Sequence, residues 1–392
     1  MHSTGIFTMK QELHSLLRVG RTALLIFGYA TGAYASDAGR DWGIERECYP
    51  DPVTKVHICE VATNGMAQNL YFHFPNVTAD NRYVIFNSER TGKFQIFRAD
   101  FETGRIVQLT DVPGGIEARG QAHGVCPHRS DPRRVFYVTR TTGEVFVVDV
   151  ETTVSSRIGA IPPPHFGRFL QPTLSHDNRA LTFGLQRDAG TWEIGMMDLE
   201  TGAYRVVLRQ GFNISHIQHS PTDPLIFYVW ETGGYAPQRT WVVNPDGTGN
   251  RPFYFRPPKK DAWLNERKEL ITHESWVQKT GDMTMISIKA GILLVNKQGE
   301  GRMLAEGDFL HCAAQPDGKR VVADDPQGRL WLVDAATGKK RLLATGLEPW
   351  KVSGFHPHPT FDLEGRRVVF NTARRAPTVA IIDLAALPPE EQ

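Results

Sequence analysis

The chain has no excess charge of either sign: 44 Lys and Arg stand against 43 Asp and Glu in 392 residues. A near-neutral balance offers no global field to nucleic acid or to an anionic membrane, so any anionic ligand has to be met by a local cluster. Cysteine is scarce. Cys48, Cys59, Cys126 and Cys312 are all there is, and none has the Cys-x-x-Cys spacing of a cysteine zinc knuckle. In an oxidising compartment the four allow three pairings; a Cys48–Cys59 bridge would pin the segment that holds both, and four buried free thiols are the alternative. Gly-x-Ser-x-Gly is missing, which argues against a serine hydrolase built on a nucleophile elbow, and no Walker loop or dinucleotide-binding glycine fingerprint occurs. Long apolar runs are missing too, apart from Thr22 to Ala30, which is short for a membrane span. That run follows Lys10, Arg18 and Arg21 and precedes Ala33-Tyr34-Ala35, the pattern of a secretory signal cleaved before Ser36. Residues 1–35 are therefore expected to be a signal peptide and 36–392 one domain, periplasmic or secreted, with no membrane association after cleavage; an uncleaved anchor or a misassigned start codon is the alternative.

What the chain does have is a repeat. A polar turn containing Asp precedes an apolar strand at Thr78-Ala79-Asp80-Asn81-Arg82, Ser130-Asp131-Pro132-Arg133-Arg134, Ser175-His176-Asp177-Asn178-Arg179, Ser220-Pro221-Thr222-Asp223-Pro224, Gln278-Lys279-Thr280-Gly281-Asp282, Gln315-Pro316-Asp317-Gly318-Lys319 and Asp362-Leu363-Glu364-Gly365-Arg366. Later in several units an Asp-x-x-Thr-Gly turn recurs, at Asp100, Asp198 and Asp334, with Asp149-Val150-Glu151-Thr152-Thr153 as a degenerate copy. Gly stands there because such a hairpin turn needs a positive φ. About seven units of short strands at this period predict an all-β, seven-bladed β-propeller. The last unit stops after Val379-Ala380-Ile381-Ile382-Asp383 without an outer strand, while Lys55 to Val61 is a strand without a blade. The N-terminal strand is expected to complete the last blade and close the ring, which removes exposed edges.

Chemistry is expected where polar residues recur at equivalent points of the blades. Upstream of the Asp turns, the start of each inner strand carries His73, His123, Gln171, His216, His273, His311, and the pair His356 and His358. Inner strands line the central channel, so these side chains would ring one mouth of it. Histidine as a class can ligate a divalent metal as neutral imidazole or act as a base near neutral pH. His356-Pro357-His358 is the strongest element, because residues i and i+2 of a strand face the same side and the proline stiffens the pair. His273 is the expected third ligand. A lone histidine at a strand start is more often a hydrogen-bonded structural group; the coincidence of many favours function. Glu274 and Glu231 rank low as acids or bases, since solvated or salt-bridged carboxylates are commoner.

Leu70-Tyr71-Phe72-His73, His216-Ile217-Gln218-His219, Thr272-His273-Glu274-Ser275-Trp276 and His356-Pro357-His358-Pro359, in this order, make the sequence resemble the oligogalacturonate lyases, propellers that cleave short pectic fragments by β-elimination. The resemblance covers most of the chain after residue 35. It implies a divalent metal, manganese in that family, on His273, His356 and His358, with Ser353 where relatives have a Gln ligand. It implies a small anionic oligosaccharide as substrate. His216 is expected to be the base, Arg187 to stabilise charge in catalysis, and Arg239 and His123 to bind substrate. Val229-Trp230-Glu231-Thr232 departs from the relatives' Cys-His-Glu-Gly. Two other readings stay open: a lyase for another uronate linkage, of the rhamnosyl-glucuronate or ulvan type, and a non-catalytic TolB-like interaction platform.

Overall fold

A computed structural model describes residues 36–73, 75–116, 118–119, 122–164, 172–255, 270–347 and 355–389. The expected signal segment, Gln171 and Ser353 lie outside these residues. The chain is all-β, with seven sheets of four or five antiparallel strands arranged as blades. Blade 1 holds Ala67–Asn69, Tyr83–Ser88, Gln95–Asp100 and Arg105–Gln108, with Asp41–Ile44 added at its outer edge. The inner strands of blades 2 to 6 are Val125–Pro127, Thr173–Leu174, Ile214–His219, Ile271–Trp276 and His311–Ala314. Blade 7 runs from Thr360–Phe361 through Arg367–Thr372 and Thr378–Asp383.

The expected closure is present. His57–Val61 pairs antiparallel with Thr378–Asp383, Cys59 opposite Ile381 and Val61 opposite Val379, and so supplies the fourth strand of blade 7. Arg46–Pro50 adds a fifth, and Cys48, directly opposite Cys59, is disulfide-bonded to it. Cys126 and Cys312 are free and buried.

The Asp-x-x-Thr-Gly turns explain themselves locally. Asp100 Oδ1 accepts the amides of Glu102 (3.0 Å) and Thr103 (2.9 Å) and the Thr103 hydroxyl (3.0 Å), and Gly104 follows at φ 73°. Asp198 and Asp334 repeat the bonds. In the degenerate copy Thr153 takes the glycine position at φ 59°, a conformation a β-branched residue adopts only under strain.

Hydrophobic cores lie between blades rather than at one centre, and there is a cluster for each of the seven interfaces. The one between blades 7 and 1 packs Val61, Val369, Val379 and Ile381 against Val84, Phe86 and Phe97, so closure is sealed by packing as well as by strand pairing. A central strand such as Tyr83–Ser88 is buried along its whole length and therefore reads as a continuous apolar run, not as an alternation. The centre of the ring is plugged, because Tyr71 and Phe72 pack against His216, His273, His311 and His358 from blades 4, 5, 6 and 7. Leu70, Tyr71, Phe72 and His73 follow the first inner strand, and all four are buried.

Candidate active site and metal centre

Three histidines from blades 6 and 7 converge above this plug. Ligand nitrogens of His311, His356 and His358 lie within 4.8 Å of one another, the one such group among the described residues. His311 opens its strand directly opposite Asp324. Its amide bonds Asp324 Oδ1 at 2.9 Å, and its Nδ1 lies 3.0 and 3.1 Å from the two carboxylate oxygens. A carboxylate behind Nδ1 fixes an imidazole and turns Nε2 outward, the arrangement that metal-binding histidines use. Here Nε2 points at His356, whose Nδ1 is 3.4 Å away. Burial pushes Asp324 well above the usual carboxylate range and His311 well below its ordinary value. A cation at the trio would restore the carboxylate form and leave Nε2 as a ligand. Burial likewise lowers His356, with Asp324 opposing, so the imidazoles His311 and His356 are neutral, as ligation requires. The donor set fits a divalent ion.

The convergence of His356 and His358 does not come from strand alternation, because the strand begins only at Thr360. His358 has a left-handed backbone, φ 41°, which turns its ring back towards His356, with centroids 5.4 Å apart. Two buried asparagines hold the turn. Asn371 Nδ2 donates to His356 O and Asn69 Nδ2 to His358 O, both at 2.8 Å. The two are tied together by the Asn69 amide on Asn371 Oδ1 at 2.7 Å.

His216 and His273 also have left-handed backbones, φ 48° and 53°. Each sits in a β-bulge, where pairing skips from Ser215 to Gln218 and from Thr272 to Ser275. A bulge re-aims a side chain that regular pairing would send elsewhere, and a strained non-glycine φ of this kind costs about 1–2 kcal/mol. His273, the expected third ligand, is not a member of this group of three, whose third member is His311. The His273 ring packs 4.1 Å from that of His311 and 6.0 Å from that of His216, between the two. Its Nδ1 has no hydrogen-bond partner among the described residues. Burial holds it neutral, helped by the neighbouring His311 and His216.

His216 adjoins a buried Glu274–Arg239 ion pair that continues to the partly exposed Glu231. Its Nδ1 is 2.8 Å from Glu274 Oε2, Arg239 Nε donates to Glu274 Oε1 at 2.7 Å, and both Arg239 Nη atoms reach Glu231 Oε2 at 3.2 Å. Burial opposes the Glu274 charge, but Arg239 and His216 outweigh it and hold the carboxyl well below the usual range. An ionised Glu274 accepts a hydrogen bond from Nδ1–H and so leaves the ring's lone pair on Nε2. The Tyr71 hydroxyl lies 3.4 Å from that nitrogen, longer than a good hydrogen bond. Tyr71 also packs edge-on to His358 at 4.6 Å, so one ring touches both the base candidate and the trio.

The other expected site residues fare differently. Arg239 reaches the site, but it is 1 % exposed and is spent on two carboxylates. Arg187 bonds Glu193 at 2.5 Å, Tyr204 at 3.5 Å and the carbonyls of Pro162 and Pro164; its side-chain partners are on the third and fourth strands of blade 3, outward from the channel. His123 is in the two-residue strand Ala122–His123, and its side chain lies outside the described residues. In the sequence His311 is legible as a member of the ring, and nothing in that ring marks Asp324. The readable signal for the pair was a histidine opening one strand of a hairpin with an aspartate closing the next.

Searches against family models and against curated proteins found no match. Solved structures do match. An oligogalacturonate lyase in complex with manganese aligns over 90 % of this chain and 98 % of its own, with a TM-score of 0.76 and 20 % identity. The chain has the oligogalacturonate lyase fold. A second such enzyme, from Vibrio parahaemolyticus, aligns over 88 % of this chain and 98 % of its own, with a TM-score of 0.73 and 21 % identity. At these identities the likeness establishes the propeller, and the chemistry has to be argued from the residues above.

Proposed function

We propose that the chain is a metal-dependent lyase that cleaves uronic-acid oligosaccharides by β-elimination. The observation that carries this is the pairing of a three-histidine donor set, backed by Asp324, with a carboxylate-oriented histidine at the same channel mouth. A fold shared with a manganese-complexed lyase agrees with it. We assign the ion to His311, His356 and His358, with His273 from the neighbouring blade filling a further position. The chemistry such an ion supplies is to bind the uronate carboxylate and acidify the adjacent C5–H. His216 Nε2 takes the C5 proton, and Glu274 stabilises the imidazolium, as a buried carboxylate does for a histidine base. The C–H electron pair becomes the C4=C5 double bond, and the C4–O bond breaks with its electrons leaving on oxygen. Arg239 keeps Glu274 ionised and in place, and so acts through it as a positioning residue.

The same reading places the chain outside the cytoplasm, in the periplasm or secreted. The Cys48–Cys59 bridge suits an oxidising compartment. Among the described residues no helix is long and apolar enough to cross a membrane.

The test is the ultraviolet absorbance of a conjugated unsaturated uronate, followed on galacturonate, rhamnosyl-glucuronate and ulvan-type oligosaccharides with and without chelator. Absorbance that grows on one linkage and stops with chelator supports the lyase and names its substrate. Absence of product on every linkage, with metal bound, would leave the propeller as a binding platform.

A further inference from the structure

At the ends of the inner strands, whose starts carry the histidines, lies a small cavity of ≈ 20 Å³ whose walls include Val77, Cys126, His128, Arg129, Leu174, Gln278 and Leu363, drawn from blades 1, 2, 3, 5 and 7. No carboxylate lines it. Arg129 follows the inner strand of blade 2 and makes no ion pair among the described residues; its Nη1 is shut off from solvent without a hydrogen-bond partner, although part of the side chain stays open. An unpaired buried cation is costly, and folded proteins normally pair it.

The nearest carboxylates act from outside the wall, Asp131 on His128 and Asp177 on His219, and neither pairs with Arg129. Burial draws the Arg129 guanidinium down to about 10, with only the Cys126 thiol opposing, which leaves it charged at neutral pH. His219 is 1 % exposed with neither ring nitrogen bonded, and its pKa is pushed down to about 3 by burial and then by Arg129. His128 accepts the amides of Ser130 and Asp131 on Nδ1, at 3.1 and 3.0 Å, so its ring proton sits on Nε2 and its other nitrogen is a donor. The place is rich in N–H donors and positive potential. It has room for one water-sized particle, which needs about 10–15 Å³. Water would solvate Arg129 but leave its charge uncompensated.

We infer that this end of the channel is a monovalent anion site, built on Arg129 and sized for chloride, where blades 1, 2, 3, 5 and 7 meet. The site is separate from the proposed lyase chemistry and stands or falls independently of it.

Melting in potassium chloride is compared with melting in potassium gluconate at equal ionic strength, since gluconate is too large to enter. The expected result is a melting temperature higher in chloride, by about 4 °C at a hundredfold excess over Kd, with the difference lost in Arg129→Gln. Native protein that melts alike in both salts overturns the site, and so does a chloride effect that survives in R129Q. Should R129Q fail to fold, crystals of the native protein in bromide decide. An anomalous peak within hydrogen-bonding reach of Arg129 Nη1 supports the site, and its absence overturns it.

Discussion

Glu274→Gln is the sharpest perturbation of the proposed base. The carboxylate now serves two donors from opposite sides, Arg239 Nε at 2.7 Å and His216 Nδ1 at 2.8 Å. A glutamine of the same shape has one oxygen, so its NH2 must confront either the guanidinium or Nδ1–H. If it confronts His216, the imidazole shifts its proton to Nε2 and the lone pair that serves as base disappears. Removing one partner of a buried ion pair costs about 3–5 kcal/mol. Arg239 keeps Glu231 through two contacts of 3.2 Å, which favours the lower end. For a ring of this size about 0.7 kcal/mol corresponds to one degree, so melting should fall by about 4 °C. Turnover should fall by a factor of about 10²–10⁴, the scale of a general base put into the wrong tautomer. The pH dependence follows from the sign of the shift. The Glu274 pKa is lower folded than unfolded, so its stabilisation is complete above the ordinary carboxylate range and is lost as pH falls through the folded value. The native protein should therefore lose stability on acidification more steeply than E274Q. The assay is thermal melting across pH beside the rate of unsaturated product. An E274Q protein that turns over at the native rate and melts within a degree of it would refute the charge chain as a functional unit.

Three further outcomes are expected. His311→Ala should abolish stoichiometric metal in elemental analysis and product formation together, whereas His216→Ala should keep the metal and lose about 10²–10⁴ in rate. Cys48→Ser with Cys59→Ser opens a loop of sequence separation 11 at the closing strand and should cost about 2–3 kcal/mol, read as a drop of roughly 4 °C in melting temperature. Thr153→Gly relieves the left-handed strain in the degenerate turn, and after the greater entropy of an unfolded glycine should gain up to about 1 kcal/mol in denaturant unfolding.

The ring was legible because its signals are local. An aspartate that accepts two amides two and three residues on, and a glycine at positive φ, write each turn into five residues, and the missing outer strand of the last unit pointed to the closing strand at Lys55 to Val61. The histidine ring was legible as a class for the same reason. Membership of the histidine trio was not, because it depends on which way a backbone turns and on distances between blades. The left-handed conformation of His358 and the bulges at His216 and His273 leave no composition signal, and His356 and His358 come together without the strand alternation expected of them. Glu274 and Glu231 read as ordinary carboxylates because the sequence does not reveal that Arg239 is buried between them. Arg187 follows the second strand of the third unit in sequence, whereas its pairing with Glu193 and Tyr204 depends on contacts in the outer half of the blade.

The account's central claim is that one ion on His311, His356 and His358 is used on a uronate, and metal add-back tests it most directly. Protein stripped with chelator is titrated with manganese while unsaturated product is followed by its ultraviolet absorbance. The account predicts no product at the start, a rise that saturates at one ion per chain, and no rise in His358→Ala. Product formed at an unchanged rate by the stripped protein, or full recovery by His358→Ala, would contradict it.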